Sequence, residues 1–485
     1  MCGMENIGII RKAQLPMLTF KDCLAKTGEI GFVEELMLSV ARVSGLPTAH
    51  LREQVLFETG QRGEIISLHA HSADVMVFSR EPLRVGTRVV RVGYQFSVLA
   101  GKQMLGRIID PLGEPLEGEK TWGEQDMEWR PVDVRPGGIA TRKRITRGFE
   151  TGVILVDLLI PLGCGQRELV LGDRKTGKSQ LLWRAVKTQV KKGNICIYAA
   201  VGKKKMEILQ TWNFLKESGA AASSVMIASG SNDSSGEIFL TPYTALTLAE
   251  YFRDQGKDVL LVIDDMTTHA KYYRELALLS RKFPGRDSYP GDIFHIHSKL
   301  LERAGCFEKG SITCLPLAET QMGDMTGYIQ TNLMSMTDGH VYFDSGLFFA
   351  GRRPAIDPFL SVTRVGRQTQ TPLQKDITKR LLQALSDYEK TTRFVKFGTE
   401  LGENSRAILD MGEKIWQLFD QPINEIVPLP LAQVLFVLLF MGNFDPKNMT
   451  RAIETYDEAK ITKLLEGCES IEQLSDKINN FQFTI

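Results

Sequence analysis

A glycine-bounded loop between a strand and a helix constrains this fold more than any other part of the sequence. Residues 167–172 read RELVLG, an apolar strand pattern, and residues 178–191 read KSQLLWRAVKTQVK, a helical pattern. The loop GDRKTGKS, residues 172–179, joins them. Because glycine leaves room for inward-pointing backbone N–H groups, a loop of this kind at a helix N-terminus is typical of phosphate binding. The pattern predicts a parallel sheet covered by helices.

The loop and a later strand supply candidate site residues. We expect the Lys178 ammonium to reach the β- and γ-phosphates of a nucleotide and the Ser179 hydroxyl to ligate Mg²⁺. The apolar strand VLLVIDD, residues 259–265, ends in carboxylates. Since nucleoside triphosphatases hold the water shell of magnesium with such a carboxylate, Asp264 is the predicted partner of the metal.

The strand after the loop helix ends in lysines where a catalytic carboxylate would be expected. Residues 194–202 read NICIYAAVG, and Lys203, Lys204 and Lys205 follow. Hydrolysis needs a group that polarises the attacking water, and lysine cannot accept a proton near neutrality unless its pKa is greatly lowered. The chain is therefore predicted to bind nucleotide without splitting it. For Lys204 and Lys205, a solvated basic turn explains the sequence equally well.

Length and periodicity divide the chain into four predicted segments. Its 485 residues exceed what one hydrophobic core usually serves. An N-terminal arm, residues 1–26, precedes short β-type runs that predict a small β-barrel at residues 27–93. Alternating strands and helices predict a nucleotide-binding domain at residues 94–371, and helical periodicity predicts a helical bundle at residues 372–485.

Composition limits the possible binding partners of the chain and its cellular compartment. A net charge of +1 excludes the strongly basic footprint of a nucleic-acid binder that acts by bulk electrostatics. The seven cysteines are scattered without a Cys-x-x-Cys pair, a pattern that suits a reducing cytosol and predicts no metal site. The most apolar run, LPLAQVLFVLLFMG from Leu429, is too short to cross a bilayer and predicts a buried helix. The chain is expected to remain on the cytoplasmic side.

Longer stretches of the sequence resemble the α subunits of F-type ATP synthases. The matching segments, in order, are MLGRIIDPLGEPLEG, IPLGCGQRELVLGDRKTGKS, PGRDSYPGDIFHIHSKLLERAG, GSITCLPLAETQMGDMTGYIQTN and SMTDGHVYFDSGLFFAGRRPAIDPFLSVTRVG. The resemblance covers nearly the whole chain. It implies a small N-terminal β-barrel, a central α/β P-loop (RecA-like) domain and a C-terminal α-helical bundle. It also implies a non-catalytic, nucleotide-binding subunit of a rotary, ion-transporting synthase.

The resemblance also implies roles for individual residues. The phosphates and magnesium would be held by Gly172, Asp173, Arg174, Lys175, Thr176, Gly177, Lys178 and Ser179, with Asp264 in the outer metal shell. Adenine would contact Phe348, Arg353, Pro354 and Gln421. Arg364, in LSVTRVG, would act in trans as an arginine finger in the active site of a neighbouring β subunit, with Ser335 near the same interface.

Cofactors and partners follow from the same resemblance. The implied cofactors are Mg²⁺ and ATP or ADP. The implied partners are catalytic β subunits in an alternating three-plus-three ring, the γ subunit of the central stalk and the peripheral stalk, with the membrane rotor contacted indirectly and no nucleic acid. Such a subunit would be peripheral to the cytoplasmic face of a prokaryotic inner membrane.

Several positions depart from the family pattern. Lys203 and Lys175 stand where the family usually has Gln, Ser179 stands where it has Thr, and Ile423 replaces a second Gln beside adenine. The arm at residues 1–26 contains Pro16 and no clear amphipathic stripe, although α subunits often dock the peripheral stalk there with a helix. These departures favour a divergent or alternative-operon synthase with a modified stalk.

Two other classes of protein share parts of this pattern. A self-sufficient ring ATPase of a secretion or flagellar export system would have Glu after AAVG, where this chain has Lys203. A nucleic-acid motor resembling Rho would interleave aromatic and basic residues in its first domain for base stacking. The first 93 residues lack that patterning.

Overall fold

The first domain is a closed antiparallel β-barrel. The computed structural model describes residues 19–79, 81–118, 122–123, 126–396, 402–422 and 425–480. The barrel strands are β1 (Gly31–Met37), β2 (Val40–Ser44), β3 (Glu53–Phe57), β4 (Arg62–Leu68), β5 (Ser72–Phe78) and β6 (Arg88–Gln95). They pair in the order β1-β2-β5-β4-β3-β6. Alternate residues such as Val33, Val55 and Val75 fill the interior, because successive side chains of a strand point to opposite faces.

A short helix, α1 (Phe20–Thr27), precedes the barrel and packs on β6. Thr19 and Asp22 form a capping box at its start. Cys23 is fully buried beside Val90 and Val92 of the barrel wall. The end of the predicted arm is therefore part of the barrel surface, whereas Pro16 and the rest of the arm lie outside the described residues.

The central domain is an α/β domain whose strands and helices alternate along the chain. Its strands are β7 (Ser97–Gly101), β8 (Arg107–Ile109), β9 (Met127–Pro131), β10 (Gly148–Phe149), β11 (Leu162–Gly163), β12 (Glu168–Gly172), β13 (Ile195–Lys203), β14 (Ser224–Gly230), β15 (Asp258–Asp264), β16 (Gly305–Cys306), β17 (Ser311–Glu319), β18 (Gly339–Phe343) and β19 (Val362–Thr363). Its helices are α2 (Ile154–Leu159), α3 (Lys178–Lys191), α4 (Lys205–Glu217), α5 (Ser235–Asp254), α6 (Met266–Leu279), α7 (Ile293–Leu301), α8 (Tyr328–Met336) and α9 (Ser345–Phe349).

The main sheet has the strand order β19-β18-β12-β17-β15-β13-β14-β8. From β18 to β8 every neighbouring pair in this order is parallel. The edge strand β19 runs antiparallel to β18, and the short strand β16 pairs antiparallel with β17. Strands β12, β13, β15 and β17 are buried along nearly their whole length. This explains their continuous apolar sequences, because helices cover both faces of a parallel sheet.

The C-terminal domain is helical. Its helices are α10 (Pro372–Lys396), α11 (Glu403–Phe419), α12 (Leu429–Phe440), α13 (Met449–Glu454), α14 (Glu458–Leu465) and α15 (Ile471–Asn480). The predicted three-part fold class is confirmed. Helix α12 is buried along most of its length, as its apolar sequence predicted. Among the described residues, the structure has no helix that is both long and apolar enough to span a membrane.

A continuous hydrophobic core joins the helical domain to the nucleotide-binding domain. It includes Leu155 of α2, Leu182 of α3, Leu381 of α10 and Leu435 of α12. The Thr378 hydroxyl donates to the backbone oxygen of Leu158 at 2.6 Å. Helix α3, which follows the glycine-bounded loop, therefore shares this core with the C-terminal domain.

Asp157 in α2 provides a pH-dependent test of this junction. Its buried carboxylate accepts hydrogen bonds from the Thr151 N–H and hydroxyl, at 2.8 and 2.7 Å, and from the Gly152 N–H at 2.9 Å. Burial, together with the nearby Glu150 carboxylate, raises the pKa of Asp157 to about 7. Because an unfolded Asp has a pKa of about 3.9, its contribution to stability is complete below that pH and is lost as the pH rises through 7.

We therefore predict that Asp157→Asn gains thermal stability relative to the wild type as the pH rises from 5 to about 8. The amide cannot ionise, so only the wild type carries the pH-dependent loss. Thermal unfolding of both proteins at several pH values measures the difference. Melting temperatures that change in parallel across this range would contradict the assignment.

Candidate functional site

The loop after β12 has the geometry of an anion-binding turn. Gly172 ends the strand with φ of 153°, and Gly177 caps α3 with φ of 102°. Between them, Lys175 also lies in the left-handed region, with φ of 64°. Because the loop ends at a helix N-terminus, the unpaired N–H groups of the first turn are available to a phosphate.

The Lys178 side chain folds back over this loop. Its buried ammonium donates to the backbone oxygens of Gly172, at 2.9 Å, and of Asp173. Burial lowers the pKa of Lys178 to about 8. An ammonium held over the loop in this way is placed to meet a phosphate group, as the sequence pattern predicted.

Two other charged residues of the loop contact residues at the ends of neighbouring strands. The Asp173 carboxylate accepts from the hydroxyls of Thr320 and Ser345, at 2.6 and 2.7 Å, and from the Gly323 N–H at 3.0 Å. Arg174 forms an ion pair with Glu319 at 2.8 Å. These side chains hold the loop against the ends of β17 and β18, and the Thr176 hydroxyl adds a bond to the Asp173 backbone oxygen at 2.8 Å.

Asp264 lies at the carboxyl end of β15 in a buried charged cluster. Its Oδ2 accepts from the Tyr198 hydroxyl at 2.8 Å, and its Oδ1 lies 2.5 Å from the Lys203 ammonium. The same ammonium is 3.3 Å from Oδ2 of Asp265. The sequence did not reveal these contacts, which require Tyr198 and Lys203 of β13 to lie beside the end of β15.

The two predicted magnesium ligands differ in the partners they already have. Ser179 is exposed in the first turn of α3, and its hydroxyl makes no hydrogen bond to any described residue. A free hydroxyl beside a phosphate-binding loop fits a magnesium ion. The Asp264 carboxylate fits less well, because it already holds the Lys203 ammonium. These residues fit a metal that arrives with the phosphates and is bound by Ser179, and the outer-shell role of Asp264, through water, stays a prediction.

A cleft beside the loop matches the predicted adenine site in part. The residues that line it are Val153, Thr176, Gly177, Gln180, Leu181, Arg184, Phe343, Arg353, Pro354 and Ala355. The Arg353 guanidinium stacks on the Phe348 ring, 3.8 Å from its centroid, and donates to the Phe348 backbone oxygen at 2.9 Å. Three residues predicted to contact adenine, Phe348, Arg353 and Pro354, therefore lie together.

Gln421 is buried near this cleft but has a different set of contacts. Its amide nitrogen donates to the backbone oxygens of Gly152 and Glu425, both at 2.9 Å, and its oxygen accepts from the Ile154 N–H at 3.0 Å. Both amide hydrogens are used, so Gln421 joins the helical domain to the loop before α2. Its contact with adenine remains a prediction, and Ile423 lies outside the described residues.

Arg184 is a residue of the cleft that the sequence interpretation missed. Its guanidinium is buried and donates to the Pro422 backbone oxygen at 2.9 Å, while its Nε has no hydrogen-bond partner among the residues that the structure describes. The helical period of α3 places Arg184 on the same buried stripe as Leu181 and Thr188. The sequence signal for its burial was an arginine at a helical position otherwise taken by buried residues.

Arg364 and Ser335 lie on the surface near the edge of the main sheet. Arg364 directly follows the edge strand β19, and its backbone N–H donates to the Asp338 oxygen at 3.0 Å. Its exposed guanidinium makes no hydrogen bond or ion pair with the described residues. Ser335, near the end of α8, is also exposed and donates to the Asn332 oxygen at 2.7 Å. Asp338 connects the two positions, because it follows Ser335 by three residues and accepts the Arg364 N–H.

The exposed side chains just before Arg364 include three large apolar residues. Phe359, Leu360 and Val362 are 42, 44 and 39% exposed. Apolar groups of this size on an exposed sheet edge are typical of a surface that contacts another protein.

Comparison with protein families gives two matches in chain order. Residues 152–363 match the ATP synthase alpha/beta family, nucleotide-binding domain. Residues 370–482 match the ATP synthase alpha/beta chain, C terminal domain. The first match contains the loop, Asp264 and nearly the whole main sheet, and the second contains the helical domain.

Curated relatives cover most of the chain. A protein of Caldanaerobacter subterraneus subsp. tengcongensis is 40% identical over 83% of this chain and 80% of its own length. A protein of Dictyoglomus thermophilum is 37% identical over 95% and 92%, and one of Wolinella succinogenes is 34% identical over 99% and 98%. Each of the three is named ATP synthase subunit alpha.

The loop geometry predicts that Gly172→Ala impairs nucleotide binding. A Cβ at this position would lie 2.6 Å from the Phe343 oxygen and 2.7 Å from the Phe343 Cβ, with φ in a region that favours glycine. We expect affinity for ATP to fall at least about tenfold, or roughly 1.4 kcal/mol, in calorimetric titrations.

Gly138→Ala is the matched control, because its added Cβ would contact nothing within 4 Å. This variant should bind ATP like the wild type. Unchanged affinity in Gly172→Ala would show that the loop does not need this backbone conformation.

Proposed function

Because the chain belongs to the ATP synthase α-subunit family, we propose that it is the non-catalytic nucleotide-binding subunit of a rotary F-type synthase or ion-pumping ATPase. In this role the chain holds ATP or ADP in its own loop and completes the active site of a neighbouring catalytic subunit. The relatives described above favour neither a secretion or export ATPase nor a Rho-like motor.

The carboxylates at the carboxyl edge of the sheet carry the proposal of a non-catalytic site. Asp264 and Asp265 share the Lys203 ammonium, and Glu319 pairs with Arg174. A general base must have a free lone pair facing the attacking water. Each of these three carboxylates already faces a cation, and this supports a site that binds nucleotide without activating water.

Lys203 strengthens this argument. Although burial alone would lower the pKa of Lys203, the Asp264 and Asp265 carboxylates raise it. The ammonium is therefore charged at neutral pH and cannot take a proton from water. Lys203, which stands where a catalytic carboxylate would be expected, is therefore the positively charged partner of two aspartates.

Arg364 is proposed to act outside its own chain. A guanidinium that stabilises charge on a transferring phosphoryl group presents two donors in a fixed fork, which lysine does not. Arg364 is exposed, has no ion-pair partner among the described residues, and closely follows the exposed apolar residues Phe359, Leu360 and Val362 in the sequence. This combination suits an arginine that enters a neighbouring subunit across an interface, with Ser335 at its margin.

The proposed partners follow from the subunit type. Catalytic β subunits would alternate with this chain in the ring, the γ subunit would pass along its axis, and the peripheral stalk would hold it from outside. The subunit would be peripheral to the cytoplasmic face of the membrane and would contact the membrane rotor only indirectly.

Magnesium is proposed to enter with the nucleotide. When bound, the ion neutralises part of the phosphate charge. The Ser179 hydroxyl is the available protein ligand, while Lys178 holds the loop side of the phosphates. Asp264 remains paired with Lys203 in this arrangement.

Arg364→Ala should abolish most ATP turnover in rings assembled from this chain and an unaltered β-type partner. Arginine fingers in related phosphoryl transfer contribute about 10³ to 10⁵ in rate, so a loss of that order is expected. Nucleotide affinity of the chain's own loop should not change, since Arg364 lies on a different surface. Steady-state hydrolysis and nucleotide binding, measured on the same rings, separate the two effects.

Arg367→Ala serves as the control, because Arg367 is an exposed arginine three positions further along the chain. It should leave turnover close to the wild-type rate. Near-normal hydrolysis in the Arg364→Ala ring would refute the proposed role in trans.

A further inference from the structure

The Lys203 ammonium and the carboxylates of Asp264 and Asp265 form what we term the edge cluster. Side-chain exposure is 18% for Lys203, 10% for Asp264 and 2% for Asp265. The ammonium lies 2.5 Å from Asp264 Oδ1 and 3.3 Å from Asp265 Oδ2. Lys203 is therefore not a solvated surface lysine, as its neighbours Lys204 and Lys205 are.

The backbone fixes the position of Lys203. Strands β13 and β15 are parallel and in register up to Ala200 and Asp264. The pairing of β13 with β14 then shifts, and Lys203 lies opposite Gly230. The Lys203 oxygen accepts from the Ser231 N–H at 2.8 Å, which holds the residue at the end of the sheet.

Both aspartates are also held by other groups. Asp264 accepts from the buried Tyr198 hydroxyl, and Asp265 caps α6 by accepting from the Thr268 N–H and hydroxyl. Because the carboxylates cannot move away without breaking these bonds, the cation between them has a defined position.

Other charges surround the edge cluster. Lys178 and Glu319 both interact electrostatically with Lys203, and Glu319 pairs with Arg174. At this end of the sheet three cations, Lys178, Lys203 and Arg174, face three carboxylates, those of Asp264, Asp265 and Glu319, so that without Lys203 the carboxylates would be in excess. A nucleoside triphosphate brings several negative charges to this region, and these need compensation from protein or metal cations.

We infer that Lys203 supplies, from the chain itself, the positive charge that a metal held by Asp264 would otherwise supply, so that nucleotide binding to this subunit depends only weakly on magnesium. The inference rests on the proposed nucleotide binding at the loop. It assigns the Asp264 carboxylate to an internal cation, and it leaves Ser179 as the sole described protein ligand for a metal that arrives with the phosphates.

The alternative is that the edge cluster only stabilises the sheet. The two roles predict different nucleotide behaviour. If Lys203 were purely structural, its replacement would change the melting temperature but would not alter the ratio of affinities with and without magnesium. If it replaces a metal charge, that ratio must change.

The experiment is a calorimetric titration of ATP into the purified full-length chain, in excess magnesium chloride and in excess EDTA. The wild-type affinities should agree within about threefold. Lys203→Gln should bind ATP at least about tenfold more weakly in EDTA than in magnesium. Lys204→Gln removes the same charge from an exposed neighbour and should behave like the wild type.

The outcomes are distinguishable. Wild-type binding that requires magnesium would overturn the inference and leave the proposed nucleotide binding intact, and this result needs no variant. Equal magnesium dependence in wild type and Lys203→Gln would also overturn it. Absence of ATP binding in both buffers would overturn the proposed function together with the inference.

Discussion

The parallel register of β12, β17, β15 and β13 is the constraint on which the site depends. It brings the ends of four strands, separated by up to 147 positions in the sequence, to one edge of one sheet. Gly172 of β12 lies level with Glu319 of β17, and Ala200 of β13 lies level with Asp264 of β15. The loop, its supporting aspartate contacts and the edge cluster all follow from this alignment.

At this edge, the structure pairs its charges internally. Arg174 meets Glu319, and Lys203 meets Asp264 and Asp265. The Lys203 pairs are largely buried, and burying ions costs desolvation energy, so their retention is weak evidence for stability and better evidence for a defined arrangement. The arrangement suits the proposed role of keeping a nucleotide in place, because the carboxylates at this edge are paired with cations. Arg364, which has no ion-pair partner among the described residues, lies instead on the surface of the chain.

Much of the fold and part of the site could be predicted from the sequence, because they depend on local pattern. The strand–loop–helix sequence around Gly172, the apolar strands and the periodicity of α10 are properties of short segments, and the structure has them. The partners of Lys203, the backbone contacts of Gln421 and the burial of Arg184 could not be read in this way. Each depends on residues brought together from distant parts of the chain, as when Gln421 meets Gly152. A resemblance assigns a residue to a site but does not show which hydrogen bonds it already makes.

The most direct test of the central claim is the fate of ATP bound to the purified chain alone. The chain is mixed with excess ATP and magnesium, and bound nucleotide and released phosphate are followed in the same sample. The account predicts that nucleotide stays bound as intact ATP while phosphate release remains at the rate of a protein-free control. Steady, protein-dependent release of phosphate would contradict it, since a carboxylate or another base would then be free to act beside the loop.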